Sequence, residues 1–294
     1  NEARDPLYVE ELAESLEQLK QDDSIDLEIL RMDGCLTGTL ELAYELKDSA
    51  QVTIGSENVS GAGSGTYLSH AQALTDYPHE YNAALLASTM VEDYKVNYIK
   101  SRGEDTLSAI KTDQLDLLAT SISAFVDTTE NLTPEDRHRL DVARSFAPQY
   151  RGGFGQTDLG QFMRGVTKAT KLNQSVRDAA QQVVEAIEAA VINKNNDYQN
   201  SDGISIFYPQ GGGGAGASYI DRHSKFIQAT NWDRYLELQS GASLGSADWI
   251  STPVNDWSAS NTVASGAFDL GRLSGNDIDI DSLAINEGTS KYFR

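Results

Sequence analysis

The chain has 294 residues, 39% of them hydrophobic and 23% charged, enough to bury a large core in one big domain or one big and one small. Forty-four acids against 23 bases give a formal net charge of −21, a field that repels phosphate backbones and anionic headgroups and so excludes nucleic acid as a natural partner. No run approaches the roughly 18 consecutive apolar residues of a membrane span.

Along the chain, Leu7, Val9, Leu12, Leu16 and Leu19 recur near helical period with acids between them, and Pro6 sits at the first turn, which predicts a surface helix. IDLEILRMD alternates and predicts a strand ending at Met32 or Asp33. TLELAYELKD then places Leu40, Ala43, Tyr44 and Leu46 at helical spacing, with the helix expected to open near Thr37 or Gly38. The single cysteine, Cys35, therefore falls in a strand-to-helix turn. AQVTIGSE predicts a second strand and NVSGAGSGTY a small-residue loop at its carboxyl end. Strand, helix, strand is the pattern of an open, mostly parallel α/β sheet flanked by helices, whose sites lie outside the carboxyl edge. Function is thus expected near Cys35 and from Glu57 to Gly65.

Two long helical segments are predicted around YNAALLASTMVEDYKVNYIK and TLSAIKTDQLDLLATSISAFV, a short helix in LTPEDRHRLDVARSF with Thr133 as cap and Pro134 in its first turn, and another long one in SVRDAAQQVVEAIEAAVINK. DGISIFYP predicts a third strand ended by Pro209, and QGGGGAGAS behind it a loop. Near Gly241 the composition turns to Ser, Asn, Gly and Asp, so the expected division is a core over 1–240 and a linker with a partial β-rich module over 241–294.

A thiol becomes a useful nucleophile as thiolate, beside a positive helix end, an imidazole or another cation. On position alone Cys35 is open to two readings, an activated nucleophile before a helix or an inert buried cysteine behind a strand. Asp33, two residues earlier, could equally cap the following turn.

MDGCLTGTLELAYEL, followed about twenty residues later by VTIGSENVSGAGSGTY, resembles the clostripain family of cysteine peptidases. DGISIFYP and YIDRHSKFIQATNWDRYLEL are similar to that family's closing strand and its aromatic tail. The resemblance implies a caspase-like α/β fold and endopeptidase action by a Cys-His dyad on bonds after Arg or Lys. It makes Cys35 the nucleophile, the amides of Gly34 and Cys35 part of the oxyanion site, and Asp33 the acid at the floor of the S1 pocket, with Ser60, Ser56 and Glu57 around it. A carboxylate in a half-buried pocket suits a guanidinium, to which it offers two parallel charge-assisted hydrogen bonds. The Gly-rich loop carries no second acid, which leaves Arg against Lys open.

The family's histidine lies some tens of residues before the cysteine, yet the residues before Cys35 include none. His70, His79, His138 and His223 all follow it in other contexts. The resemblance implies a light chain bearing the histidine, with Asn1 at the start of the heavy chain; the alternative is a catalytically inactive module that binds cationic peptides. It also implies secretion, self-processing and calcium dependence. NNDYQNSDG and GNDIDIDS offer carboxylates for such an ion, though neither has the twelve-residue loop pattern. AFDLGRLSGNDIDIDSLAINEGTSKYFR resembles the opening of a pre-peptidase C-terminal domain, ending at Arg294 as self-trimming after Arg would leave it.

Overall fold

The computed structural model describes residues 8–23, 25–59, 67–77, 79–97, 106–150, 155–195, 200–209 and 217–240. The expected carboxyl-terminal module, 241–294, lies outside the described residues. Helix α1 (Val9–Asp23) leads into strand β1 (Leu27–Arg31), and after the cysteine turn α2 (Leu40–Glu45) runs back to β2 (Ala50–Gly55). Helices α3 (Tyr67–Asp76) and α4 (Ala83–Asn97) follow, then β3 (Leu107–Lys111), which passes through a 3-10 turn into α5 (Leu115–Thr129). Helix α6 (Pro134–Phe146) starts at Thr133, whose hydroxyl accepts from Asp136 N as expected of a cap before proline. Short strands β4 (Gln149–Tyr150) and β5 (Gln156–Asp158) precede α7 (Leu159–Lys168), α8 (Gln174–Ala190) and β6 (Val191–Asn195). Strand β7 (Ser205–Phe207) and helices α9 (Ala217–Arg222), α10 (Ser224–Thr230) and α11 (Trp232–Ser240) complete the described chain.

Strands β1, β2, β3 and β6 form a four-stranded sheet in that order, and β4, β5 and β7 a small antiparallel one. In the large sheet β1 and β2 pair parallel, whereas β3 pairs antiparallel to both β2 and β6. Three strands thus run one way and β3 alone opposes them: Ser108 at its start lies opposite Gly55 at the end of β2, so the chain leaves and re-enters on the same edge. The sheet is therefore mixed, with three of its four strands running the same way, within the helix-flanked α/β fold that the strand-helix-strand pattern predicts.

Two strands fall within segments whose periodicity predicts helix. LSAIK alternates between faces, Leu107 and Ala109 toward one core and Ile110 toward the other, but it is shorter than a helical window and only one 3-10 turn separates it from α5. VINKN follows α8 directly, its β-branched Val191 and Ile192 being the signal at that switch.

Helices cover both faces. Val52, Ile54, Leu107 and Ala109 pack on Ala83, Ala87, Val91 and Tyr94 of α4. The opposite face carries the larger core, where Leu40 and Ile110 meet α5, α7 and α8 through Leu118, Phe125, Phe162, Val183 and Ile187. The carboxyl ends of β1, β2 and β6 and the start of β3 collect at one sheet edge, which carries Cys35.

Candidate active site

The turn from Gly34 to Gly38 is bound to the end of β2 at several points. Leu36 N donates to Asn58 O (3.1 Å) and Gly38 N to Ser56 O (2.8 Å). Thr37 Oγ1 donates toward Gly34 O (2.9 Å) and Met32 O (3.3 Å) and accepts from Ser56 N (3.3 Å), so one hydroxyl ties both arms of the turn to the neighbouring strand. Leu36 takes a left-handed φ of 57°, a conformation that costs a side-chain-bearing residue free energy and that these bonds sustain. The small residues of the motif have a steric cause: a Cβ on Gly38 would stand 2.7 Å from Glu57 N, and one on Gly55 2.7 Å from Thr37 O.

Cys35 is a half-buried thiol in no disulfide on this turn, not one sealed behind the strand. It stands well before the helix: Thr39 is the N-cap of α2, accepting from Leu42 N, and the six-residue helix opens at Leu40. The expected opening at Thr37 or Gly38 is corrected accordingly, and Thr39, not Asp33, holds the capping role. Asp33 is 48% exposed and bonded to Arg31, Nε to Oδ1 at 2.9 Å. Gly34 N–H donates to no described residue, as an oxyanion donor requires.

Ser56 and Glu57 are buried behind the turn. Ser56 Oγ donates to Asn58 O (2.9 Å) and shares a hydrogen bond with Thr106 Oγ1 (3.0 Å), which also accepts from Asn58 N (2.9 Å). Ser201 Oγ donates to the Glu57 carboxyl, and Asp158 and Tyr150 lie beside it. Burial, with the Asp158 charge adding to it, pushes Glu57 well above the usual carboxylate range. Asp158 caps α7 through Gln161 N (2.7 Å) and accepts from Asp202 N (2.6 Å) and Tyr150 OH (3.1 Å); burial raises it to about 6 despite these donors. Asp202 in turn binds Arg164 (3.0 Å) and Lys194. Sequence reasoning missed Tyr150, Asp158 and Ser201, which no motif links to the cysteine turn. Ser60 lies outside the described residues.

The histidines are engaged elsewhere. His70 is buried on α3 with Nε2 2.8 Å from Asp93 Oδ2, while His79 and His138 are exposed. His223 packs on Tyr219, ring centroids 5.1 Å apart, and burial followed by the Arg222 charge holds it down at about 4. Among the described residues no group of three or more His, Cys, Asp or Glu side chains could hold a metal. Asp202 of the first acidic stretch is neutralised by Arg164 and Lys194, while Asp197 of that stretch and GNDIDIDS lie outside the described residues.

Solved structures share the fold. A B. fragilis cysteine protease superposes with a TM-score of 0.52 at 18% identity over 83% of this chain and 98% of that one. A secreted C11 cysteine protease from Bacteroides thetaiotaomicron, in complex with an irreversible peptide inhibitor, gives 0.53 at 19% over 76% and 63%. An inactive zymogen C11 protease from Parabacteroides distasonis gives 0.50 at 17% over 78% and 61%. No curated protein matches the chain. The model of the clostripain family, Peptidase_C11, matches residues 1–257, a range that includes the turn just described. The chain belongs to the clostripain family and is a cysteine peptidase with the caspase-like α/β fold.

Proposed function

We propose that the protein is an endopeptidase that cuts after Arg or Lys, with Cys35 as nucleophile and its histidine supplied by a separate light chain. The observation that carries this is the turn itself: a half-buried thiol followed by a residue, Leu36, in left-handed geometry, with a solvent-facing carboxylate two residues ahead of the thiol. The position of β1 supports the light chain. It is an edge strand, its residues half-buried or exposed, and among the described residues nothing pairs with its outer side. A strand added there would run beside the one that delivers Cys35, and a histidine at its end would come within reach of sulfur.

In this reading the imidazole removes the thiol proton and the thiolate attacks the scissile carbonyl carbon. Gly34 and Cys35 amides stabilise the oxyanion, the imidazolium protonates the leaving amine, and water releases the acyl group. Asp33 and Ser60 receive the basic side chain, with Ser56 and Glu57 buried behind the cysteine turn. Secretion and self-processing belong to the same proposal, supported by the secreted relative; among the described residues no helix is long and apolar enough to cross a membrane. No step is routed through calcium.

The test is hydrolysis of Arg- and Lys-amide fluorogenic substrates by the assembled enzyme, with intact mass to identify a second polypeptide. Thiol-dependent cleavage that Cys35→Ala abolishes is the expected result. Tight binding of cationic peptides with no turnover, in a preparation that contains the histidine chain, would establish the non-catalytic alternative.

A further inference from the structure

The carboxylate assigned above to the substrate's cation already holds a cation of its own. Arg31 and Asp33 lie two residues apart on an extended run, so their side chains share one face. Arg31 Nε donates to Asp33 Oδ1 at 2.9 Å, and its guanidinium carbon stands 4.8 Å from the Tyr67 ring centroid at the start of α3. The arginine side chain is 9% exposed and the aspartate 48%: the cation is fixed within the protein while the acid faces outward. Among the described residues Oδ2 of Asp33 carries no hydrogen bond.

This arrangement discriminates between the two basic side chains. A guanidinium gains its advantage over an ammonium from two parallel N–H···O bonds to both carboxylate oxygens. With Oδ1 committed to Arg31 that fork cannot form undisturbed, and two guanidinium planes would crowd one carboxylate. An ammonium is a point donor and loses less, because Oδ2 alone can receive it.

We infer that Arg31 is a specificity-determining residue, which moves the S1 preference from Arg toward Lys by occupying one oxygen of Asp33. The inference rests on Asp33 being the pocket acid, as proposed above.

The experiment compares kcat/KM for matched Arg- and Lys-amide substrates in the assembled enzyme, for the parent and for Arg31→Met, Arg31→Lys and Asp33→Asn. The parent is expected to cut Lys at least as well as Arg. Arg31→Met should raise the Arg-to-Lys ratio by about tenfold, the scale of one charge-assisted hydrogen bond, mostly through KM for the Arg substrate. Arg31→Lys, which keeps a charge without the planar donor, should move the ratio less. A parent that prefers Arg by more than about tenfold overturns the inference whether or not the variants fold. So does a ratio unmoved in a folded Arg31→Met. If Asp33→Asn keeps the full preference for basic over neutral side chains, the pocket assignment itself is wrong and the role of Arg31 goes with it. If Asp33→Asn loses that preference while the ratio in Arg31→Met stays put, only the role of Arg31 is lost.

Discussion

Glu57 shows how a residue beside a reactive turn can act from the inside. Its carboxyl is enclosed with Asp158, Tyr150 and Ser201, and Asp202, Lys194 and Arg164 stand one step further out. Two acids in contact in a dry interior cannot both ionise cheaply, so the pair retains a proton that the unfolded chain releases. Below about pH 4 folded and unfolded chains both hold their protons; as pH rises past the ordinary carboxylate range only the folded chain still binds them, so this pair's contribution to stability falls with pH. The fall begins near pH 4 and continues through the value of about 6 for Asp158, with the raised Glu57 carboxyl adding to it. Glu57→Gln, which imitates the protonated acid, is expected to flatten the decline: Tm of the variant relative to the parent should increase steadily from pH 4 to 8 in differential scanning calorimetry. A constant difference would show that Glu57 is ionised in the native state. The sequence marks Glu57 through its place after a strand, but orientation is settled by partners 93 to 144 positions away in the chain, from Tyr150 to Ser201, and no local pattern encodes that. Cys35 and Asp33, by contrast, lie together in one short local motif that the sequence itself displays.

At the scale of elements, α2 is a buried connector between the cysteine turn and the carboxyl-terminal helices. Glu41 accepts from Phe207 N (2.7 Å) and Tyr219 OH (2.8 Å), and Glu45, one turn on, accepts from Phe226 N (3.0 Å). Burial raises both carboxyls. The acids of the ELAYE motif therefore clamp β7, α9 and α10 against the helix that follows Cys35, a packing role rather than a chemical one. Glu41→Ala leaves two buried donors without an acceptor and should cost about 2–4 kcal/mol in urea unfolding, whereas Glu41→Gln keeps the accepting oxygen and should cost about 1 kcal/mol or less. Equal losses would mean that packing rather than hydrogen bonding sets the cost. Helix periodicity and caps are legible here, as at Thr133. Strands β3 and β6 are not, because each is only five residues long, β6 following α8 directly and β3 joined to α5 by a single 3-10 turn.

Across the whole molecule, charge reaches further than any single contact. A formal −21 repels itself in the compact state and attracts cationic peptides, and both effects act through solvent. Raising ionic strength from about 0.01 to 0.15 M shortens the screening length from about 30 to 8 Å, so salt should raise Tm while it lowers kcat/KM for basic peptides. A Tm that falls with salt would place specific surface ion pairs above the net repulsion. The half-covered rim at β1 has its own bearing on handling the protein. A row of amide donors and acceptors at a sheet border is a template for any passing strand, including the same strand of a second molecule. If the light chain proposed above covers that border, the chain without it would satisfy the border by clumping with itself, and a preparation made as one precursor and parted after folding should aggregate less.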